Sequence, residues 1–493
     1  MADHENARRV ILRIVLLTFL ILLLGACAAA PDEEPGQQAA PQSADPGEAI
    51  PETEAETESK PPIPEGYDLG GYTFTILNGN IGDWMYTYRV TADEETGEVL
   101  NDAIFKRNLA TEDLLNMKIT AIDQNGARDT AERSIKGGDD AYDLVLDNTS
   151  PAFKMALGGS VLSYDSIDSI DTKNPWWERN SLRDFSIANH VYYAVSLFDT
   201  THYDYVRTLM FNKGMREEFG LEDPYELVRE DRWTLDQMEK MGLAVANDVN
   251  GNGQWDDEDR YGYTSWSRNG CEMYVYAIGG KLSVNKDEND LPFFDLDDIF
   301  YYDRFDAVTN LLAKEGYKAN FGTAGNHGGL DYFIAGQTLF FSESLGNSHS
   351  LRDMDTDFGF LPGPKYNEEQ KEYYSFGGTP YCELVPITAA DPERTGYVME
   401  TLAWASQDTI VPAFYDVTLN GKVIRDTESG PMLDIIFDTL SYPSQVAFDQ
   451  CDTQVTDLIW GGKGGFASYF AKYSRIINKE IDKAIKAYSE NNQ

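Results

Sequence analysis

The segment "DVNGNGQWDDED" (248–259) carries an oxygen-bearing side chain at almost every second position. Calcium loops of 12 residues take oxygen ligands from positions 1, 3, 5, 7, 9 and 12, and they need a glycine at position 6 for a sharp turn. Gly253 occupies that turn, and Asp259 stands where a longer, bidentate glutamate is usual, so weaker binding is expected. The pattern favours a calcium site over a metal-free acidic turn. The expected ligands are Asp248, Asn250, Asn252, the Gln254 carbonyl, Asp256 and Asp259.

The flanks of this segment indicate what the metal does. Before it, "WTLDQMEKMGLAVAND" (233–248) has the spacing of an amphipathic helix, with Thr234 as N-cap and Gln237 as the reciprocal capping-box residue. After it, "RYGYTSW" (260–266) is β-prone where a second helix would begin. A calcium sensor works by changing the angle between two helices. With only one helix, calcium is expected to be a structural cofactor.

Aromatic residues make up 12% of the chain, with 29 Tyr, 24 Phe and 8 Trp. Sugar rings stack their apolar C–H faces on such side chains, while their hydroxyls need polar hydrogen-bonding partners. In "NPWWERN" (174–180) two indoles lie beside charged and amide groups. Adjacent residues rarely face the same way, so we expect Trp177 to face a ligand and its neighbour to pack. Trp84, Trp266 and Trp460 are further loop-borne indoles, for which packing is the alternative.

Other candidate ligand contacts follow predicted strands. They are Asp199 and Tyr203 in "FDTTHYDY" (198–205), Glu343 in "SESLGNS" (342–348), and Gly378 and Thr379 in "FGGTPY" (376–381). A simple glycine turn is the alternative for the last segment. His202 is expected to be a structural histidine rather than a ligand or a base.

The N-terminus predicts an extracytoplasmic protein. Positive charge at Arg8, Arg9 and Arg13 accompanies an apolar run from Val10 to Leu24, which is too short for a membrane span and typical of a secretory signal. The tetrapeptide Leu24-Gly25-Ala26-Cys27 resembles a bacterial lipobox. This resemblance implies cleavage after a signal peptide of residues 1–26 and a lipid on Cys27, which anchors the chain to the outer face of the cell membrane. Residues 27–64 are acidic and proline-rich with few large apolar side chains, so they predict a disordered tether.

Charge and cysteine content exclude several classes of protein. The chain has 40 basic and 83 acidic residues, a net charge of −43, which disfavours nucleic acid and suits a neutral or cationic partner. Only five histidines are present, without Cys/His metal spacing, so zinc chemistry is not expected. Besides Cys27 the cysteines are Cys271, Cys382 and Cys451; one disulfide with one free thiol, or three buried thiols, are both open.

Strand and helix patterns alternate along the body from residue 65 onward. "GYTFTIL" (71–77), "MKITAI" (117–122) and "AYDLVLD" (141–147) are predicted strands separated by helical stretches, an order that indicates a parallel α/β sheet. A further strand, "YYAVSLFD" (192–199), is predicted to begin a second section. The body of about 430 residues exceeds one ordinary core, so two lobes are expected.

These segments, with the lipobox, resemble the bacterial extracellular solute-binding proteins (family 1 type) that are the substrate-binding lipoproteins of ABC sugar importers. "VLNDAIFKRNLATEDLLNMKI", "THYDYVRTLMFNKGMREEFGL", "IAGQTLFFSES" and "YCELVPITAADPERTGYVMETLAWAS" carry the resemblance through their order and spacing. It implies an α/β, two-lobe, periplasmic-binding-protein-like fold, with crossing hinge strands and a ligand cleft between the lobes. Lobe 1 is expected to comprise 65–195 and 338–386, and lobe 2 is expected to comprise 196–337 and 387–493, with the calcium-type loop.

The expected function is therefore capture of a neutral carbohydrate, an oligosaccharide, for an ABC permease, through hinge closure and without catalytic residues. The expected partners are that sugar, the transmembrane subunits of the permease and the membrane, and the chain is expected to be a monomer. The alternatives are a binding protein for a peptide or cationic solute and an extracellular glycosidase, which needs two carboxylates about 5–10 Å apart across a sugar. A calcium-dependent adhesion protein would favour repeated calcium modules, and the sequence shows one loop and no repeat.

Overall fold

The structure is a computed structural model that describes residues 63–79, 90–199, 201–266, 268–279, 284–294, 299–319, 328–415, 426–442 and 453–490. The predicted signal peptide with Cys27, nearly all of the predicted tether, Trp84 and Cys451 lie outside the described residues. Within the described parts of the chain, no helix is long and apolar enough to cross a membrane.

The strands of the described residues are, in chain order, β1 (Tyr72–Asn78), β2 (Met117–Asp123), β3 (Leu144–Asn148), β4 (Arg207–Asn212), β5 (Tyr261–Ser265), β6 (Val284–Lys286), β7 (Pro292–Phe294), β8 (Thr338–Ser344), β9 (Phe358–Leu361), β10 (Ser375–Phe376), β11 (Tyr381–Leu384) and β12 (Leu440–Ser441).

The helices are α1 (Val99–Leu115), α2 (Arg128–Gly137), α3 (Thr149–Leu157), α4 (Arg179–Phe185), α5 (Thr201–Asp204), α6 (Lys213–Glu218), α7 (Pro224–Arg229), α8 (Leu235–Val245), α9 (Glu272–Ala277), α10 (Ile299–Leu312), α11 (Gly328–Ile334), α12 (Pro392–Ser406), α13 (Ile410–Tyr415), α14 (Ser429–Asp438), α15 (Thr453–Trp460) and α16 (Phe466–Glu490). Short 3-10 turns occupy Tyr164–Ser166, Arg268–Cys271 and Leu345–Leu351. The strands predicted at 71–77, 117–122 and 141–147 are confirmed as β1, β2 and β3.

Lobe 1 is built on a four-stranded sheet with the order β11-β3-β1-β2. β1 pairs in parallel with both β2 and β3, whereas β11 is antiparallel to β3. β1 and β3 are the central strands, as their apolar runs allow. Their buried residues, such as Phe74 and Leu146, form a core together with Val398 and Leu402 of α12. The parallel pairing predicted from the alternating pattern is confirmed.

Lobe 2 is built on a second sheet with the order β5-β8-β4-β9. β8 is antiparallel to β4 and parallel to β5, and β9 completes the sheet on the other side of β4. Every residue of β8 is buried, which its run of apolar and small residues allows.

The expected lobe boundaries are wrong in two places. β8 and β9 lie within 338–386, which was expected in lobe 1, yet their hydrogen bonds join them to β4 in lobe 2. α12 was expected in lobe 2, yet it packs on α1 and contributes to the lobe 1 core. The apolar pattern of a strand or helix predicts that it is buried. It does not indicate which of the two sheets the element packs against.

The segment 192–199 is also not the regular strand that was predicted. It pairs through isolated bridges, Ala194 with Glu383 and Ser196 with Trp177. It then leads through α5 into β4, and this stretch from residue 192 to β4 is the first crossing segment. A second crossing segment runs from β10 to β11, and β10 is held by parallel pairing with β12.

Helix α16 contacts both lobes. At its start, Phe466 stacks on Phe305 of α10, with ring centroids 4.9 Å apart. Near its end, Tyr488 makes an edge contact with Tyr192 of lobe 1 at 4.7 Å, and the helix also packs against α3. Its 25 residues therefore touch elements of both lobes.

Candidate ligand-binding site

The carboxyl ends of parallel strands come together where the crossing segments join the lobes. In lobe 1, β3 ends at Asn148, opposite the first residue of β11, Tyr381. The Asn148 side-chain amide donates to the Thr379 carbonyl at 2.5 Å, which fastens this strand end to the second crossing segment. In lobe 2, β8 ends at Ser344, opposite the first residue of β4, Arg207. Open α/β sheets bind ligands outside such strand ends.

The lobe 2 edge carries a shielded cluster of one cation and two carboxylates. Arg207 Nη1 donates to Glu343 Oε1 at 2.7 Å, and Arg207 Nε donates to Glu272 Oε2 at 3.2 Å. Burial works against the charge of Arg207, but Glu343 and Glu272 hold its pKa above the ordinary value. The cluster is thus fixed, charged and preorganised. It includes Glu343, one of the residues expected to contact a ligand.

Two half-buried tyrosines, Tyr205 and Tyr381, face the same region from the crossing segments. Burial, and then Asp199, raise the pKa of Tyr205 to about 12. Burial, and then Tyr205 and Asp147, raise the pKa of Tyr381. Both phenols therefore keep their protons at neutral pH and can donate hydrogen bonds, while their rings offer apolar surface.

Gly378 and Thr379 lie beside these tyrosines, as predicted for residues at the crossing. Gly378 has a φ of +75°, and a Cβ at this position would meet the Tyr205 side chain at 2.6 Å. Only glycine therefore permits the close approach of the second crossing segment to Tyr205. Thr379 is half-buried.

Trp266 and Trp460 are both partly buried and pack against the core of lobe 2. Trp266 directly follows β5 and is half-buried. The next turn is joined to α15 by an ion pair of Arg268 with Asp457, and α15 ends at Trp460. The Lys318 ammonium lies 3.9 Å from the centroid of the Trp460 ring and donates to its carbonyl at 2.8 Å. Burial lowers the pKa of Lys318 to about 8.

The prediction that Trp177 faces a ligand is wrong. Trp177 is 2% exposed, and its indole N–H donates to Glu400 Oε1 at 2.8 Å, while Trp176 donates to Glu400 Oε2 at 2.7 Å. Both indoles pack, because a carboxylate from α12 satisfies both N–H groups inside the lobe 1 core. The polar neighbours in the sequence gave no sign of this distant partner.

Tyr203, His202 and Asp199 hold the first crossing segment together. The Tyr203 ring is half-buried; it stacks on Phe414 at 4.6 Å and lies 3.8 Å from the His202 ring. Burial lowers the pKa of His202 to about 4, and its Nδ1 is 2.5 Å from the Asp199 carbonyl. His202 is thus a neutral structural histidine, as expected. Asp199 is buried, and its charge contributes, after burial, to the raised pKa of Tyr205.

Sequence reasoning missed Arg207, Tyr205, Tyr381 and Asn148. A signal was present for the first two, since "YVR" (205–207) directly precedes the apolar run of β4 and thus marks a strand end at the crossing. Asn148 and Tyr381 are opposite each other only because β3 pairs with β11, and this pairing across more than 230 residues is not written in any local pattern.

The calcium-type loop lies between α8 and β5, so the expected helix before it and strand after it are confirmed. The Asp248 carboxylate accepts from the N–H groups of Gly251 at 2.7 Å and Gly253 at 2.8 Å. The buried Asp259 carboxylate accepts from Val249 and Asp256. The loop thus has the tight turns that a calcium loop needs.

The ligand chemistry of this loop fits calcium only in part. Its expected ligands are all oxygen atoms, as calcium prefers. However, Asn250 and Asn252 donate their side-chain amides to the Asp256 carboxylate, at 3.1 and 2.7 Å, so both amides would have to turn their oxygens inward. Across the described residues, no group of three or more His, Cys, Asp or Glu is placed to hold a metal ion.

Two of the three remaining cysteines are described. Cys271 and Cys382 are both buried thiols and are not joined to each other. Burial raises the pKa of the Cys382 thiol, which keeps it protonated and unreactive.

The fold is similar to solved substrate-binding proteins. The ABC substrate-binding protein Lmo0181 from Listeria monocytogenes, in complex with cycloalternan, gives a TM-score of 0.53 at 12% identity, over 84% of this chain and 99% of that chain. A cyclo/maltodextrin-binding protein complexed with maltotetraose gives 0.53 at 12% identity, over 89% and 99%. UgpB from Mycobacterium tuberculosis, in complex with glycerophosphocholine, gives 0.52 at 16% identity, over 84% and 99%.

No protein-family model and no curated protein matches the sequence. The three structural likenesses cover nearly the whole length of the proteins compared. The expected fold is confirmed: this chain has the two-lobe α/β fold of the substrate-binding proteins of ABC importers.

Proposed function

We propose that this protein is a lipid-anchored solute-binding protein of an ABC importer, which captures a neutral oligosaccharide between its lobes on the outer face of the cell membrane. The observation that carries the proposal is the meeting of Arg207, Glu343, Tyr205 and Tyr381 where the crossing segments join the two sheets. Rigid, hydrogen-bonding and aromatic groups are combined there at the edge where this architecture places ligands.

The chemistry of the region suits a carbohydrate. The Arg207 charge is more than balanced within the protein by Glu343 and Glu272, so the region offers donors and acceptors but no unbalanced positive charge for an anionic solute. Tyr205 and Tyr381 add rings for stacking on C–H faces together with phenol donors. The ligands named for two of the similar structures, cycloalternan and maltotetraose, support this reading.

The alternative within the same class is a peptide or cationic solute. The net charge of −43 supports it, and the similar UgpB structure contains glycerophosphocholine, so this fold also accommodates ligands that are not simple sugars. In either case we propose capture without turnover, delivery to the transmembrane subunits of an ABC permease by hinge closure, and action as a monomer.

Two further parts of the proposal concern attachment and the loop of lobe 2. The lipobox-like tetrapeptide ending at Cys27 supports cleavage of residues 1–26 and a lipid anchor. Asp248, Asp256 and Asp259 would hold a structural calcium ion together with the oxygens of Asn250, Asn252 and the Gln254 backbone. Bound calcium would replace the amide–carboxylate hydrogen bonds that close the loop, and its two positive charges would offset two of the three carboxylate charges.

The decisive experiment is a thermal melt of the chain from residue 64 onward against mono- and oligosaccharides, with maltotetraose included and with basic peptides as the other arm. One sugar should raise the melting temperature in a saturable way, and no product should form. Tyr381→Leu should weaken this stabilisation, while Tyr397→Leu, at a half-buried tyrosine that packs on Tyr67, should leave the sugar response unchanged.

Each other outcome points to a different function. Stabilisation by basic peptides alone would replace the carbohydrate proposal with the cationic alternative and leave the fold assignment intact. Release of shorter sugars from the oligosaccharide would make the protein a glycosidase.

A further inference from the structure

The outer face of α16 carries five cations in a row. They follow one another at intervals of three or four residues, which places them on one side of the helix. All five are exposed, and they span about 21 Å at the rise of an α-helix. This set, here named the basic stripe, consists of Lys472, Arg475, Lys479, Lys483 and Lys486.

The opposite side of the same helix is apolar and buried. Ile477, Ile481, Ala484 and Tyr488 are each at most 3% exposed and belong to the protein core. This side fixes the helix on the two lobes, so the basic stripe points away from the protein. The stripe is therefore a preformed surface rather than a segment that must fold when it meets a partner.

The charge of α16 is opposite to that of the whole chain. The helix contains five of the 40 basic residues but only three of the 83 acidic ones, Glu480, Asp482 and Glu490. Glu480 is half-buried, and Glu490 forms an ion pair with Lys486 at 3.7 Å. Five cations and three carboxylates leave the helix a net charge of +2, in a chain whose net charge is −43.

Three cations of the basic stripe form no ion pair within the described residues, namely Arg475, Lys479 and Lys483. Many exposed cations elsewhere are paired, as Lys118 is with Glu112 at 2.6 Å. A chain this acidic offers many carboxylates, so a cationic face that only contacts water would be expected to carry partners of the same kind. The unpaired stripe indicates a surface that meets negative charge from outside the chain.

Apolar and aromatic side chains run beside the basic stripe. Ile476 is 46% exposed, and Tyr469 and Tyr473 precede it at the same spacing of three or four residues. Both tyrosines are half-buried, with ring centroids 4.6 Å apart, and the Lys472 ammonium lies 4.8 Å from the centroid of the Tyr473 ring. Cations combined with tyrosine and aliphatic side chains are typical of helices that lie in the interface of a phospholipid bilayer.

We propose that the basic stripe docks α16 flat on an anionic phospholipid surface. The lipid phosphates pair with Arg475, Lys479 and Lys483, and Ile476 enters the boundary between headgroups and acyl chains. A soluble polyanion would match the positive charge but would leave Ile476 in water. The inference does not depend on which solute the protein captures.

The negative charge of the remaining chain decides the orientation at such a surface. Charges are screened over about 8 Å at physiological ionic strength, so the lipids interact with the stripe in contact with them more strongly than with carboxylates on the far side of the lobes. Acidic faces are repelled, and α16 is the face that is attracted. Because α16 contacts both lobes, docking would hold both of them beside the membrane.

The test uses the chain from Lys60 onward, because Lys60–Gln493 form one compact unit without the predicted lipid anchor. Binding is measured by sedimentation with vesicles of phosphatidylcholine, or of phosphatidylcholine and phosphatidylglycerol in equal parts. We expect binding only to the vesicles that contain phosphatidylglycerol, and sodium chloride at about 0.5 M should abolish it.

Substitutions separate the contributions of charge and apolar contact. Lys479→Gln together with Lys483→Gln should lower the partition coefficient by about 20-fold. Lys173→Gln together with Lys371→Gln makes the same change in net charge at exposed positions outside the stripe, and should leave the coefficient within about twofold. Ile476→Ser should lower it by about threefold, because the apolar contact with lipid is lost.

Four results would overturn the proposal. Three of them are the absence of binding to vesicles with phosphatidylglycerol, equal binding to both kinds of vesicle, and equal losses in the two double lysine variants. The fourth is unchanged vesicle binding in Ile476→Ser, which would show that the stripe recognises charge alone. The partner would then be a soluble polyanion, and saturable binding of inorganic polyphosphate would identify it.

Discussion

Arg207 and Glu343 form an ion pair of 2.7 Å that links the first residue of β4 to the end of β8. The same guanidinium reaches Glu272 at the start of α9 at 3.2 Å. One side chain therefore connects three elements at the edge of the lobe 2 sheet. Because both carboxylates are also shielded, the geometry of this edge depends on a planar cation with several fixed donors.

Arg207→Lys is expected to weaken carbohydrate binding by about tenfold, since a lysine ammonium cannot reach both Glu343 and Glu272 in this geometry. Titration calorimetry with the sugar found in the melting screen measures the loss. Arg229→Lys, at a surface pair with Glu226, is the matched control and should bind as the unchanged protein does. Equal affinities for both variants would remove Arg207 from the site.

Glu400→Gln is expected to lower the free energy of unfolding by about 2 kcal/mol, because an amide cannot accept hydrogen bonds from both Trp176 and Trp177. Sugar affinity should not change, since this cluster lies in the lobe 1 core. Urea unfolding followed by circular dichroism gives the free energy, and Glu369→Gln, at an exposed position, is the control. A loss of sugar affinity without a loss of stability would contradict the structural role.

Removal of calcium with a chelator is expected to lower the melting temperature without changing which sugar binds. Asp248→Asn and Asp256→Asn should abolish this chelator effect, because each removes one carboxylate from the expected ligand set. Asp353→Asn, at a carboxylate that is 73% exposed in an ion pair with Arg352, should retain it. If chelator does not change the melting curve of the unmodified chain, the segment 248–259 is a metal-free turn.

Stability is expected to fall as the pH rises from about 4.5 to 8. Burial raises the pKa of Glu383 from 4.5 to about 8, and burial raises the pKa of Glu178 to about 7. The fold favours the protonated form of each group, so their contribution is complete below pH 4.5 and is lost as the pH rises through the folded-state pKa. Within the described residues, Oε2 of Glu383 accepts no hydrogen bond, which agrees with a protonated carboxyl.

Glu383→Gln tests this pH dependence. It should flatten the profile and raise the unfolding free energy at pH 8 by about 1 kcal/mol or more relative to the unchanged chain. Urea midpoints at pH 5, 6.5 and 8 measure the effect, with Glu369→Gln as the control. If the unfolding free energy of Glu383→Gln falls with pH as steeply as that of the unchanged chain, the pH dependence belongs to other groups, and Glu178 is the first candidate.

Local pattern predicted much of the fold. The pattern of apolar residues placed β1, β2 and β3, and Thr234 does cap α8, accepting from the Gln237 N–H at 3.4 Å. The reciprocal half of that capping box is wrong, because the Gln237 side chain donates to Glu222 at 2.7 Å. A stronger, charged acceptor lay 15 residues away in the chain, outside the range of the motif.

The site was less predictable because its parts come from distant segments. Glu343, Gly378 and Thr379 were predicted from their position beside predicted crossings; in the structure Glu343 binds Arg207 and Gly378 lies against Tyr205. Trp177 was misplaced because its partner, Glu400, lies 223 residues away. A hydrogen bond between such distant residues depends on how the helices pack on the sheets. The spacing of residues along one segment does not indicate that packing.

Helix α16 restricts how far the two lobes can separate. It is held on lobe 2 by Phe466 and on lobe 1 by Tyr488, and an α-helix of 25 residues resists stretching because each turn is closed by its own hydrogen bonds. Opening about the crossing segments must therefore be a rotation that keeps both ends of this helix docked. In the proposed hinge motion, these two contacts would limit the swing of the lobes independently of the bound solute.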